Sequence, residues 1–215
     1  NIKNIANSAL HFTIKRLIEI IGFILCVVGI LFLISLISYS PNDPNFIFPD
    51  NTKINNILGF QGSYISDLFF QSIGLISFLI PFTFFFTGIN IFNSKDVFLI
   101  IENIFYVVLY SIFGSLYLSY FYGSSFSLYV NGNGGFVGNF LNQTFLKNFI
   151  LLNENITFYI LLFVFTIFFF LSINLNLKKI NYLFNKIINF LRTNNKKNYS
   201  DKSEIINEYI PQEEI

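Results

Sequence analysis

The feature that most constrains this chain is a set of four long stretches in which charged residues are missing or confined to one end. No Asp, Glu, Lys or Arg lies between Glu19 and Asp43, and Ile20 to Tyr39 is almost wholly apolar. About 20 helical residues, at roughly 1.5 Å each, cross the ~30 Å hydrocarbon core of a bilayer. Three more stretches meet that length: Leu68 to Ser94, Leu99 to Tyr122 with Glu102 only at its start, and Ile156 to Leu177. Inside hydrocarbon every backbone N–H and C=O must be paired within the protein, so a chain of this kind spans as helices. The expected fold is an all-α membrane protein: a four-helix transmembrane bundle with spans at about 20–39, 68–92, 99–122 and 156–177, and amphipathic interfacial segments.

Composition supports lipid as the solvent. Charged residues make up 12% and hydrophobic residues 53%, whereas a soluble domain carries about a quarter charged residues. A cleaved signal peptide competes for the first span, because Lys3, Lys15 and Arg16 precede it. Its apolar core is too long, however, and ends in Ser38-Tyr39-Ser40 rather than a small-x-small cleavage site. The 31 Phe residues, set against two Ala and no Trp, follow from AT-rich coding and do not announce an aromatic site. The lack of Met suggests a piece of a longer protein.

The connections carry turn formers. Pro41-Asn42-Asp43-Pro44 and Pro49-Asp50-Asn51 predict a polar loop reaching about Ser63. Pro81 removes a backbone donor and predicts a kink in the second span, freeing the carbonyl of Ser77. Ser111, Ser115 and Ser119, with Gly114 beside them, form a small-residue stripe suited to close helix packing. Tyr117, Tyr120 and Tyr122 are expected at the membrane interface. The glycine-rich run Asn131 to Gly135 precedes an apolar pattern that suggests an amphipathic segment on or in the membrane. Residues 180, 183, 184, 187, 188 and 191 repeat at helical spacing opposite Lys178, Lys179, Lys186 and Arg192, as in a basic helix on an anionic lipid surface.

The basic residues orient the chain. With both termini inside, cytoplasmic segments hold eleven Lys and Arg, and the external loops hold only Lys53 and Lys147. This asymmetry follows the positive-inside rule. The expected organisation is a cytoplasmic segment at 1–16, a membrane domain at 17–177, a basic juxtamembrane helix at 178–192 and a cytoplasmic linker at 193–215.

Chemistry is sparse. His11 is the one histidine and Cys26 the one cysteine, so neither a metal site nor a nucleophile with a nearby base is expected. Asp67, Glu102 and Glu154 fall near predicted helix ends, where water reaches them and their bland reading is helix-start charge. They motivate an alternative, a small polytopic transporter or channel, which lacks the deep ionisable group such a pathway usually needs. No Gly-Lys dipeptide occurs, so there is no phosphate-binding loop. No catalytic residue and no cofactor are expected.

Two motifs and a glycine cluster go further. Tyr39-Ser40-Pro41-Asn42-Asp43-Pro44 follows the first span, and Gly59-x-x-Gly62-x-x-x-x-Asp67 leads into a second span that contains Gly74 and Pro81. Gly134-Gly135-Phe136-Val137-Gly138 precedes the last span. Over about Arg16 to Leu177 this pattern resembles the membrane region of FtsK/SpoIIIE-type bacterial DNA translocases. The resemblance implies a four-helix anchor in the bacterial inner membrane, enriched at the division septum, that holds a cytoplasmic ATP-driven DNA pump for chromosome segregation. It implies as partners the lipid bilayer, further copies of the chain and other septal proteins. Chromosomal DNA would be reached only through a motor this sequence lacks.

Overall fold

The computed structural model describes residues 2–44, 53–123 and 131–174. They form seven α-helices: α1 (Ile2–Ile37), α2 (Gly59–Ile73), α3 (Leu79–Ser94), α4 (Leu99–Phe121), α5 (Gly135–Asn142), α6 (Leu146–Leu152) and α7 (Glu154–Ile173). A short 3₁₀ helix, Gly74–Phe78, joins α2 to α3. No strand occurs among the described residues. Four segments are long and apolar enough to cross a membrane: Asn7–Ile37, Gly59–Ser94, Leu99–Phe121 and Glu154–Ile173. The stretches 178–192 and 193–215, read from sequence as a basic helix and a linker, lie outside the described residues.

α1 is a single 36-residue helix, about 54 Å long at the α-helical rise. Its tightest neighbour is α3, and glycine makes the contact possible. A side-chain carbon on Gly22 would sit 2.7 Å from the carbonyl oxygen of Gly88, and one on Gly29 would sit 2.9 Å from that of Pro81. Low numbers on α1 therefore meet high numbers on α3, and the helices run antiparallel. Cys26 lies between the two glycines, its thiol 3.4 Å from the carbonyl of Phe85. Beyond that contact, Lys95 in the α3–α4 turn bonds Glu19 of α1 at 2.7 Å, and Glu19 also holds Arg16 at 2.6 Å.

α4 returns beside α3, and α7 returns beside α4. Asn103 donates to Thr87 Oγ1 at 2.7 Å, and the Tyr110 hydroxyl lies 3.2 Å from Thr83 Oγ1, so α3 and α4 are also antiparallel. Phe158 and Phe165 of α7 pack on Tyr117 of α4 at ring separations of 5.2 and 5.5 Å, and Phe169 meets Tyr110 edge-on. The end of α7 thus returns to the end of the bundle that holds Lys95, where Asn90 donates to the carbonyl of Ile173. One core gathers Phe32, Leu36, Phe70, Ile76, Ile80 and Tyr110; a second gathers Leu116, Tyr117, Ile150 and Leu161. Tyr117, expected at an interface, is therefore a core residue. Outside these cores the span helices present Phe23, Phe105 and Phe163 at 60% exposure or more, a surface suited to lipid and not to water.

Two expectations about the second span need correction. The helix begins at Gly59, so the loop does not continue to Ser63. The break falls at Gly74, where φ is +65°, and not at Pro81. Pro81 lies in the first turn of α3, where a missing N–H removes no helical bond, and the carbonyl of Ser77 accepts from Leu79 N–H. Ser35 of α1 meets Gly62, Phe32 meets Phe69, and Tyr39 meets Asp67 and Phe70. These contacts do not progress along α1, so α2 crosses its end instead of running beside it.

Gly88→Leu is expected to force α1 off α3. Overpacking of this kind costs about 1–3 kcal/mol, readable as earlier unfolding in an SDS titration of the lipid-reconstituted protein. A change on the outer face, Phe23→Leu, should leave the titration nearly unchanged.

Candidate functional site

Two clusters of polar side chains hold the sequence motifs, and every motif position except Pro81 falls at one or the other. The first closes the α1–α2 connection. Asp43 is 2% exposed. Its Oδ1 accepts from the backbone N–H of Asn55 at 2.9 Å and from the Asn55 amide at 3.1 Å, and its Oδ2 accepts from Asn56 N–H at 2.8 Å. Asp43 N–H in turn donates to the Ser40 carbonyl at 3.1 Å, in a turn that Pro41 favours through its fixed φ. A carboxylate satisfied by several donors can be buried where an unpaired one cannot.

Asn56 carries the knot into the helices. Its amide donates to the carbonyl of Ser35 at 2.9 Å, its Oδ1 accepts from Leu58 N–H at 3.0 Å, and its carbonyl accepts from Gly59 N–H at 2.9 Å. Ser35 donates to the Gly62 carbonyl at 2.6 Å, and Ser63 donates to the Pro44 carbonyl at 2.8 Å. Gly62 has no room for a side chain, because Asn56 and Leu58 occupy the space. Gly59 supplies a φ of +66° at the start of α2.

Asp67 departs from its expected setting. It lies two turns inside α2, is 4% exposed, and accepts from the Tyr39 hydroxyl at 3.0 Å and the Gln71 amide at 3.5 Å. It is a buried tie between α1 and α2 and not a water-facing helix-start charge. Glu102 does sit exposed in the first turn of α4. Glu154, also exposed, begins α7 and accepts from Tyr120 at 2.8 Å. Asp67 and Glu154 are thus tied at separate places by separate partners, and Glu102 stands apart from both in the chain. Among the described residues no group of three His, Cys, Asp or Glu is arranged to hold a metal ion.

The second place is the break at Gly74. Gly134 and Gly135 press against it: a side-chain carbon on Gly135, whose φ is +63°, would meet the backbone of Ser72, Ile73 and Gly74. The carbonyl of Asn133 accepts from Leu75 N–H at 2.9 Å, and the Asn133 amide donates to the Tyr122 carbonyl. From the other side Ser115 donates to the Ile73 carbonyl. Gly134 and Gly138 lie flat against the backbone and side chains of Ser115 and Ser119, and Ser119 donates to Asn139 at 2.7 Å. The serine stripe of α4 is therefore the bed for α5 and the 3₁₀ segment. Gly114 belongs to the same bed, with Ile76 filling the space a side chain would need.

A smaller polar set joins three helices. Thr83 Oγ1 lies 3.2 Å from the Tyr110 hydroxyl and 2.9 Å from Ser172 Oγ, all three fully buried. Sequence reasoning passed over Ser35, Asn56, Thr83 and Asn133. Asn is so frequent here that neither asparagine stood out. Only the motif neighbours Pro44, Gly62 and Gly134 marked the regions.

These arrangements define a class: a multi-pass membrane domain in which buried polar side chains join the helices. The chain belongs to the FtsK/SpoIIIE family of DNA translocases as their four-span membrane region, matching the family described as the 4TM region of DNA translocase FtsK/SpoIIIE over residues 14–182. It is similar to the DNA translocase FtsK of Rickettsia bellii, 34% identical over 129 residues, which is 59% of this chain and 16% of that protein. The FtsK of Rickettsia typhi is 36% identical over 34% of this chain and 10% of its own length, and that of Rickettsia prowazekii 39% over 31% and 9%. The chain thus spans only a small part of the curated relatives it matches. No solved structure matches it.

Asp43→Ala would leave the Asn55 and Asn56 donors facing a void. Loss of a buried charged acceptor costs about 3 kcal/mol, so the α1–α2 connection should become open to protease while α4 and α7 stay protected. Equal protection of the connection in variant and parent would show that Asp43 does not hold it.

Proposed function

We propose that this chain anchors a DNA translocase in the inner membrane and targets it to the division septum, where the complete protein acts in chromosome segregation. The observation that carries the reading is the family match over 14–182, which covers the first candidate span from Ile14 onward and the other three entirely. The matched region is the membrane part of the translocase and not its motor, so no enzymatic activity is assigned to these residues. The motif positions have a structural task in this reading. Tyr39, Ser40, Pro41, Asp43 and Pro44, with Gly59, Gly62 and Asp67, set the α1–α2 connection; Gly74, Gly134, Gly135 and Gly138 lock the helix break. Both present a rigid surface at the end of the bundle away from Lys95 for septal partners to recognise.

Both chain ends are cytoplasmic in this reading, which puts Arg16, Lys95 and the basic stretch 178–192 on the side the positive-inside rule favours. Support comes from the bundle, since Glu19, Lys95 and Ile173 lie at one end of it. The membrane domain covers 17–177, the basic helix 178–192 rests on anionic lipid, and 193–215 leads toward the motor. Several copies assemble so that their motors form a ring around chromosomal DNA. The transporter reading gains nothing from the structure, because Asp67 is tied to Tyr39 and Glu102 is remote from it in the chain and in its contacts.

A fluorescent fusion of residues 1–215 in dividing cells should collect at midcell, and uniform envelope fluorescence would refute septal targeting. Cysteines placed at Asn7 and Lys53 should label with an impermeant thiol reagent only at Lys53; the reverse pattern would invert the topology.

A further inference from the structure

We infer that the outer face of α1 from Leu10 to Ile24 is a heptad seam on which a second copy of this chain packs its own α1, parallel and in register, as a two-stranded coil. This deepens the proposed self-association and rests on it. Five exposed apolar residues recur at alternating spacings of four and three. Ile14 and Ile21 take the first core position of the heptad, and Leu10, Leu17 and Ile24 the second; each is between 37% and 60% exposed. Branched residues at the first position with mostly leucine at the second are what parallel two-stranded coils select. One heptad earlier the first position is Asn7, also exposed, and a polar residue there specifies register.

Within the bilayer the spacing alone would decide nothing, because every face of α1 is apolar. Ile20, Phe23, Val27 and Ile30 make another exposed row there. The rows separate toward the start of the helix. The second row runs into Arg16 and Thr13, and the row facing α3 through Gly22 runs into Lys15 and His11. Only the proposed seam continues as Leu17, Ile14 and Leu10. There α1 has left its own bundle: the last tie is Glu19 to Lys95, and every residue from Asn7 to Leu17 is exposed.

Asn7–Ile37 is about 46 Å of helix against a core of ~30 Å, so three or more turns project beyond the lipid. Because α1 is unbroken, these turns cannot fold flat onto the membrane surface as an interfacial helix does. Lipid also asks for no heptad register. Two copies inserted the same way bring their first helices together in parallel, and the left-handed crossing of a heptad seam is a common one in membranes.

The test uses the whole chain in bacterial membranes with Cys26→Ala, so that each variant carries one cysteine and any disulfide joins two molecules. Leu10→Cys, Ile14→Cys and Leu17→Cys should give oxidised dimers readily, and Phe12→Cys, Thr13→Cys and Lys15→Cys several-fold less. Even cross-linking across all six, a maximum at the second group, or none would overturn the seam. Counting copies per spot by single-molecule photobleaching separates the two claims. A multi-copy parent that loses copies by about twofold in the Ile14→Lys, Leu17→Lys double variant supports a pairwise seam. A multi-copy parent unaffected by these changes rejects the seam and keeps self-association; a single-copy parent rejects both.

Discussion

A helix that breaks within a membrane bundle releases backbone groups that hydrocarbon cannot satisfy, and the break at Gly74 organises much of what surrounds it. Leu75 N–H finds the carbonyl of Asn133, and the Ile73 carbonyl finds the hydroxyl of Ser115. Both partners must come within hydrogen-bonding distance of a backbone, which demands small residues on each side. Gly134 meets that demand from the α4–α5 connection, Gly135 and Gly138 from α5, and Gly114 and Ser115 from α4. The break therefore accounts for three features of the chain at once: the glycine cluster, the serine stripe, and the docking of α5 against the bundle.

The same economy governs the carboxylates. In lipid there is no hydrophobic drive to bring helices together, so packing and interhelical hydrogen bonds hold them. Asp43 and Asp67 are buried because the loop amides of Asn55 and Asn56 and the hydroxyl of Tyr39 are placed to receive them. A chain with so few charged residues commits two of its acids to one connection. That concentration gives the end of α1 and the start of α2 a defined shape.

Four spans and their helical nature were legible in the sequence, because charge-free length is a one-dimensional property. The importance of Tyr39, Asp43, Asp67 and the glycines was legible only through resemblance, since none of them performs chemistry that a pattern reveals. Pro81 misled: a proline within an apolar stretch predicts a kink, yet its effect depends on where the helix starts, and Gly74 restarts the helix just before it. Tyr117 misled in the same way, because a tyrosine near a span end and a tyrosine wedged among Phe121, Phe158 and Phe165 read identically in one dimension.

What the sequence determined alone is the solvent of this protein and the number of times it meets that solvent, for lipid selects on uninterrupted apolar length whatever the neighbours. Tertiary structure decided which helix lies against which, that α2 crosses α1 while α3 runs beside it, and that Asp67 is buried. Those outcomes turn on the pairing of Gly22 with Gly88 and of Gly74 with Gly135, contacts between residues far apart in the chain. Local pattern carries no record of which distant glycine will face which.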